Sequence, residues 1–264
     1  MLIGMVMPRT TNPGEARGIK SVGRTFDIVE CIHERGGAGV TEIADEVGLT
    51  KGTVHCHLNT LRERRYLVKD GDTYRVGLQF LGLGGKRATD QKLYRFGKPE
   101  AEELVRETGE TVQIGVEEHG KGIYIYQSRS EKAVRTDSYI GTERHLHATS
   151  FGKAILAHLP ERRVTEIIDR HGLPPITDRT TTNREVLFEE LETIRDRGVA
   201  FDDGEQIAGI RCVAAPVLGP DDEVLGAFSL TGPTTRMSGD RFRQEIPELL
   251  KRVTRVVEIN VANS

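Results

Sequence analysis

Apolar positions recur with a helical period over residues 41–65, TEIADEVGLTKGTVHCHLNTLRERR, in two short runs separated by a glycine. Thr41 is placed to cap the first run, Ile43, Ala44 and Val47 give it an apolar side, and Gly48 stops it by entering the left-handed region. Leu49 plugs the turn and Thr50 caps the second run, where Val54, Leu58 and Leu61 recur at i, i+4, i+7. The opposite side carries Lys51, Gly52, Thr53, His55, Cys56, Asn59 and Arg62, small or hydrogen-bonding residues of the kind a helix presents to a major groove. An ordinary helical hairpin would show the same stripe, so the next residues decide. Residues 66–76, YLVKDGDTYRV, are two β-rich runs around Asp70-Gly71-Asp72, a strong hairpin signal. Helix, turn, helix and hairpin predict a winged helix-turn-helix, with residues 69–75 as the wing.

Upstream, residues 19–34 read as a third helix, with Ser21 as cap, Val22, Phe26 and Val29 as the buried stripe, and Gly36-Gly37 as its end. Downstream, the pattern stays helical from Leu78 to about Gly109, with Leu93, Phe96, Leu104 and Val105 apolar. Pro99 is expected to break or restart this helix, and the glycines at 82–85 to form a hinge. The remainder alternates strands and helices. Residues 111–116 and 123–127 alternate in period two around Gly120-Lys121-Gly122, a hairpin, and 136–139 is a further strand candidate. Helices are expected at 152–159, 161–171 and 183–197, the last with Val186, Leu187, Leu191 and Ile194 inside. Strands are expected at 199–202, 210–217 and 224–231, and a final helix at 239–259 with a kink at Pro247. The fold class is α+β: a disordered leader over 1–18 with Met5 and Met7 as alternative starts, a DNA-binding domain over 19–77, a linker helix over 78–98, and a mixed α/β sensor-type domain over 99–264.

Charge and cysteines adjust this picture. The net charge of −3 is unevenly divided: residues 1–88 hold 13 Lys/Arg against 10 Asp/Glu, residues 89–264 hold 24 against 30. A mildly basic small domain on an acidic larger one fits nucleic-acid contact by the first alone. No apolar run approaches the roughly 18 residues of a membrane span. Cys31, Cys56 and Cys212 form no close pair, which points to a reducing cytoplasm.

Several segments together resemble the IclR family of transcriptional regulators. IKSVGRTFDIVECI resembles that family's first helix, GLTKGTVHCHLNTLRERRYLV its recognition helix and wing, and HATSFGKAILAHLP its Gly-Lys-Ala segment. GVAFDDGEQIAGIRCVAAPV matches the family signature at Gly198, Asp202, Glu205, Cys212, Val213, Ala214 and Val217. The signature then expects an aromatic residue and Asn or Asp, where this chain has Leu218 and Gly219. The resemblance implies a winged helix domain, a linker helix and a GAF-like effector domain, assembled as dimers or pairs of dimers on a pseudo-palindromic operator. It implies a small-metabolite pocket at Tyr139, Ser150, Phe151, Asp202, Cys212, Ser229 and Thr231.

The chemistry of those residues suits a small organic acid. A helix start after Thr149-Ser150 favours an anion. Ser229 and Thr231 share one strand face, and Asp202 can bond a ligand hydroxyl or, when protonated, a carboxylate. From the residues alone, Ser229 and Thr231 satisfying backbone groups and Asp202 capping a turn is the more frequent outcome. The expected DNA contacts are Thr50, Lys51, Thr53, His55, Cys56, Asn59, Arg62, Arg64, Lys69 and Arg75. An enzyme using Cys212 for nucleophilic or redox chemistry is the rival class, and it lacks a visible base or resolving cysteine. A bare interaction module is a third, and leaves the pocket residues unexplained. Zinc at His145 and His147 with Cys212 is conceivable by ligand type, but His-x-His pairs are usually incidental. No metal, cofactor or catalytic residue is therefore expected, and no membrane partner.

Overall fold

The structure, a computed structural model, describes residues 18–264, so all but the last residue of the expected leader lies outside the described residues. Those residues form two compact units divided between Gly85 and Lys86.

The first unit holds α1 (Lys20–Glu34), α2 (Val40–Val47), α3 (Lys51–Glu63) and the hairpin β1 (Leu67–Asp70) and β2 (Thr73–Val76). Its core is Ile28, Val29, Ile32, Ile43, Ala44, Val54, Leu58, Leu61, Leu67 and Tyr74. Gly48 ends α2 at φ 65°, and the Thr50 hydroxyl accepts the Thr53 N–H at 3.2 Å, as the pattern predicts. Two caps differ. The helix α2 begins one residue before Thr41, at Val40, so the cap position falls on Gly39, whose N–H donates to the Glu42 carboxylate at 2.8 Å. The helix α1 begins before Ser21, whose carbonyl accepts the Thr25 hydroxyl inside the helix. The buried stripe of α1 is also rotated: Ile28, Val29 and Ile32 face the core, while Val22 and Phe26 are half exposed.

The helix α4 (Gln79–Thr89) carries the chain from one unit to the other and contains the glycines at 82–85. The chain breaks at Asp90-Gln91, and α5 (Lys92–Thr108) then runs straight through Pro99. Pro99 lies on the exposed side of the helix, as does Arg95 one turn earlier, whose carbonyl a proline at 99 cannot bond.

The second unit is a six-stranded sheet of order β5-β4-β3-β8-β7-β6, every pairing antiparallel. Its strands are β3 (Thr111–Glu118), β4 (Lys121–Ser128), β5 (Glu143–His145), β6 (Ala200–Asp203), β7 (Ile210–Leu218) and β8 (Val224–Pro233). Residues 136–139 are loop rather than strand. On one face, α5 and α9 (Ile246–Ala262) pack on Val112, Ile114, Val213, Ala215, Phe228 and Leu230. On the other, α6 (Ser150–Leu156), α7 (Glu161–His171) and α8 (Arg184–Arg197) pack on Tyr124, Ala200, Ala214 and Ala227. Within α8, Leu187, Leu191 and Ile194 are buried, whereas Val186 is half exposed. Pro247 sits in the first turn of α9, where a missing N–H costs nothing; the irregularity lies before it, in a π-helical turn over Arg241–Glu245.

Candidate functional site

The antiparallel register places one row of polar side chains on the α6 side of the sheet. Asp202 on β6 is opposite Cys212 on β7, Cys212 is opposite Thr231 on β8, and Ser229 on β8 is opposite Gln113 on β3. Period two keeps Ser229 and Thr231 inward on this face while Phe228 and Leu230 serve the α5/α9 core. The row is hydrogen-bonded. The Thr231 hydroxyl is 3.3 Å from Gln113 Oε1 and 3.2 Å from Cys212 Sγ, and Gln113 Nε2 donates to Gln127 Oε1 at 3.1 Å.

The helix α6 covers this row. Ser150 and Ser229 hydroxyls meet at 3.2 Å. The Phe151 ring lies on Gly115 and Gly122 so closely that a Cβ at either would come within 2.5 Å of a ring atom, which is why those two strand positions are glycine. Tyr124 packs against Phe151, the rings tilted by 43° with centroids 4.8 Å apart. Tyr124 reaches this face through a bulge: the register between β3 and β4 shifts after Ile114, so Tyr124 and Tyr126, two apart, point to opposite sides. Tyr126 instead donates to Glu102 of α5 at 2.9 Å.

These residues line a cavity with Thr136, Ser138, Thr149, Gln206, Ile207 and Ile210. The space it encloses is about 20 Å³, roughly one water molecule. Among the predicted pocket residues, Ser150, Phe151, Asp202, Cys212, Ser229 and Thr231 converge here. Tyr139 does not: it sits more than half exposed in the turn 139–142, and Tyr124 provides the aromatic wall instead. The helix start contributes less than expected, because α6 begins at Ser150 and the Thr149 hydroxyl already takes the Gly152 N–H at 3.1 Å.

Asp202 is 2% exposed, and its Oδ1 accepts the Glu205 N–H at 2.7 Å and the Gln206 N–H at 3.4 Å. It therefore does cap the turn that follows β6. Burial, reinforced by the charge of Glu205, pushes its carboxyl up to about 7. Burial and Asp202 likewise hold the Cys212 thiol well above its ordinary range, so it is a neutral thiol, poorly suited to nucleophilic attack. The fully buried Lys153, missed as a partner in the sequence, bridges Glu190 of α8 at 2.7 Å and Glu205 at 2.6 Å. Its ammonium is thereby committed below the cavity and does not line it.

The zinc arrangement is not formed. His145 and His147 rings pack edge to face at 5.6 Å, but β5 and β7 are separated by three strands, which takes Cys212 out of reach. Burial and Lys121 push His145 down to about 4, and no group of three or more metal-ligating side chains occurs among the described residues.

In the first unit, the predicted DNA-facing side chains form a coherent surface. Lys51, His55, Cys56 and Arg62 are exposed on α3, Thr53 and Asn59 partly so, and Arg64, Lys69 and Arg75 are exposed at and beyond its end. Asn59 bonds His55 Nδ1 at 3.0 Å, Thr50 and Thr53 hydroxyls share a bond of 2.9 Å, and Lys69 lies over the Tyr74 ring.

A helix-turn-helix with a wing, joined to a second unit that carries a small polar pocket, defines a helix-turn-helix transcription factor. The family models agree: residues 21–71 match the IclR helix-turn-helix domain and residues 86–258 match the bacterial transcriptional regulator IclR C-terminal domain. A relative from Halobacterium salinarum, described as "Probable HTH-type transcriptional regulator ArcR", is 34% identical over 96% of this chain and 98% of its own. The crystal structure of Thermotoga maritima IclR has a TM-score of 0.76 at 26% identity, covering 92% of this chain and 98% of that one. An IclR homologue from Microbacterium hydrocarbonoxydans complexed with 4-hydroxybenzoate shares the fold, with a TM-score of 0.78 at 21% identity over 92% of this chain and 100% of that one. The chain belongs to the IclR family of transcriptional regulators. The matched domains are those of a transcriptional regulator. No helix among the described residues is long and apolar enough to cross a membrane.

Proposed function

We propose that this regulator binds a pseudo-palindromic operator as a dimer or dimer of dimers, and that a small organic acid held in the second unit sets its occupancy, controlling a catabolic pathway. The observation that carries the reading is the convergence of Ser150, Asp202, Cys212, Ser229 and Thr231, from four different elements, on one enclosed space. Four neutral donors and one carboxyl suit a small hydroxylated or carboxylated molecule. The homologue complexed with 4-hydroxybenzoate, which carries both groups, has the same fold. Because the enclosed space takes only about one water, the ligand enters as the covering segments 136–138 and 206–210 part.

Dimerisation is supported by apolar side chains exposed within the first unit: Ile19, Val22 and Phe26 of the α1 region, and Leu78, Leu81 and Leu83 of the α4 region. Six such residues call for a cover, and a second copy matches the two-fold symmetry of an operator. On DNA, Lys51, Thr53, His55 and Asn59 are assigned to bases or phosphates, and Arg62, Arg64, Lys69 and Arg75 to phosphates. The test is fluorescence anisotropy on DNA upstream of the protein's own gene and its neighbours, with and without a panel of small organic acids. Absence of any specific site there, or occupancy that no acid alters, counts against the proposal.

A further inference from the structure

The cavity has an electrostatic peculiarity. It is lined by hydroxyls, two glutamine side chains, a thiol, a phenol, apolar groups and one carboxyl, but by no lysine, arginine or histidine. The cations beside it are committed elsewhere: Lys153 is shared between Glu190 and Glu205, and Arg144, which acts on Tyr124, is paired with Asp137. Asp202 faces Cys212 on β7, Glu205 and Gln206 on the following turn, Lys153 on α6 and Tyr124 on β4. Glu190 on α8 completes the ionic cluster through Lys153. With every acid ionised, the cluster carries three negative charges against one positive. An anionic ligand would add a fourth negative charge in a narrow, largely buried space, where like charges in contact are costly.

Resting on the reading of this cavity as an organic-acid site, we propose that the ligand binds together with one proton, so that Asp202 acts in the complex as a neutral carboxylic acid donating to the ligand's carboxylate. The geometry permits it. Oδ1 accepts the two backbone N–H groups, so Oδ2 is the oxygen left to carry the proton, and the Cys212 thiol that also bonds this carboxyl must give way to the ligand. The hydroxyls of Ser150, Ser229 and Thr231 supply the remaining donors without adding charge. Burial already raises Asp202 to about 7, towards the neutral form that the complex requires. The protein thereby responds to acidity as well as to metabolite: a given concentration of the acid occupies more sites in a more acidic cell.

The test is isothermal calorimetry on the full chain with sodium 4-hydroxybenzoate, pyruvate and glycerate, and with the amides of these acids. Titrations at about pH 6 and about pH 8 span the Asp202 transition, and at the upper pH two buffers of different ionisation enthalpy count protons. Acids that bind are expected to take up close to one proton at the upper pH and to bind about tenfold more weakly there than at the lower, since only the protonated fraction is competent. Asp202→Asn keeps Oδ1 as the turn cap and presents a neutral donor in place of Oδ2. It is expected to bind the same acids with no proton uptake and a flat pH profile, which a merely structural role for Asp202 would not produce. Binding without proton uptake, or equal affinity for an acid and its amide, overturns the proton-linked site while leaving the pocket assigned. Failure of every acid to bind at either pH removes the organic-acid reading itself, and this inference with it.

Discussion

Replacing Lys153 by methionine tests how the second unit is held together around its cavity. The ammonium is fully buried, while the Glu205 and Glu190 side chains are 12% and 27% exposed. Methionine fills most of the lysine's volume, so the change removes charge rather than packing. It leaves two carboxylates close together with no counter-ion, a situation that costs about 3–5 kcal/mol when one member of a buried pair is deleted. Glu190 can be rehydrated, which places the expectation near the lower end, about 3 kcal/mol, or roughly 6–12 °C in Tm for a unit of this size. The pH dependence identifies the cause. Burial raises the Glu205 carboxyl above its ordinary value, and Lys153 is the charge that opposes the rise. A group whose folded-state value is raised makes folding less favourable as pH climbs from its ordinary value to that raised one. Removing Lys153 extends that window upward. The loss is therefore expected in full at about pH 8 and to shrink towards about pH 5, as Glu205 takes up its proton. Urea unfolding of the full chain followed by circular dichroism measures it, with the first unit's own transition as internal control. Adding Glu205→Gln to the variant is expected to restore part of the loss. A loss under about 1 kcal/mol at pH 8, or the same loss at both pH values, refutes the account.

Other consequences can be measured independently. Thr50→Ala is expected to destabilise the first unit by about 1 kcal/mol, read by thermal unfolding, because the Thr53 N–H loses its cap. Gly152→Ala places a methyl 2.2 Å from the Leu146 carbonyl oxygen, backbone that cannot move aside, so the second unit is expected to lose several kcal/mol or fail to fold, visible as a lowered Tm beside an unchanged first transition. Cys56→Arg adds a bidentate donor to the exposed side of α3 and is expected to strengthen operator binding, by about 1–3 kcal/mol if it reads a base; anisotropy unchanged within error shows that position 56 does not touch DNA. Lys69→Ala is expected to reduce the slope of log affinity against log salt by about one. Ser229→Ala, which loses the bond to Ser150, is expected to weaken the acid ligand by about 0.5–1.5 kcal/mol and to leave DNA binding of the free protein intact.

The parts of the fold that were legible in the chain are those whose determinants are local. Gly48, Thr50 and Asp70-Gly71 each act within a few residues, and they specify the turn, the cap and the wing. Strands β7 and β8 alternate cleanly enough to assign Ser229 and Thr231 to one face. Errors arose where two adjacent residues compete for one local role, as at Ser21 and Thr41, or where a breaker's cost depends on where it points, as at Pro99. Val22 and Phe26 illustrate another limit. An apolar stripe shows in the sequence, but not whether the same chain covers it. The pocket was half legible: residues whose inward direction follows from strand period were found, and those placed by long-range register were not.

Tyr124 makes the physical reason explicit. Strict alternation sets Tyr124 and Tyr126 on one face of β4, because they are two apart. The bulge opposite Ile114 inserts one residue, and from there to the hairpin turn every side chain changes sides. That single irregularity brings Tyr124 to the cavity wall, lets Gly122 lie under the Phe151 ring and leaves Tyr126 to meet α5 through Glu102. The packing of α6 depends on the same register, since the Phe151 ring lies against both Gly115 and Gly122. The cavity is thus built by the close approach of a short helix to two glycine-bearing strands, and its polar lining is a consequence of register. A pocket formed this way has little room of its own and no cation. If it takes the proposed ligand, recognition must come from hydrogen bonds, shape and a proton, and the energy to open it from those contacts.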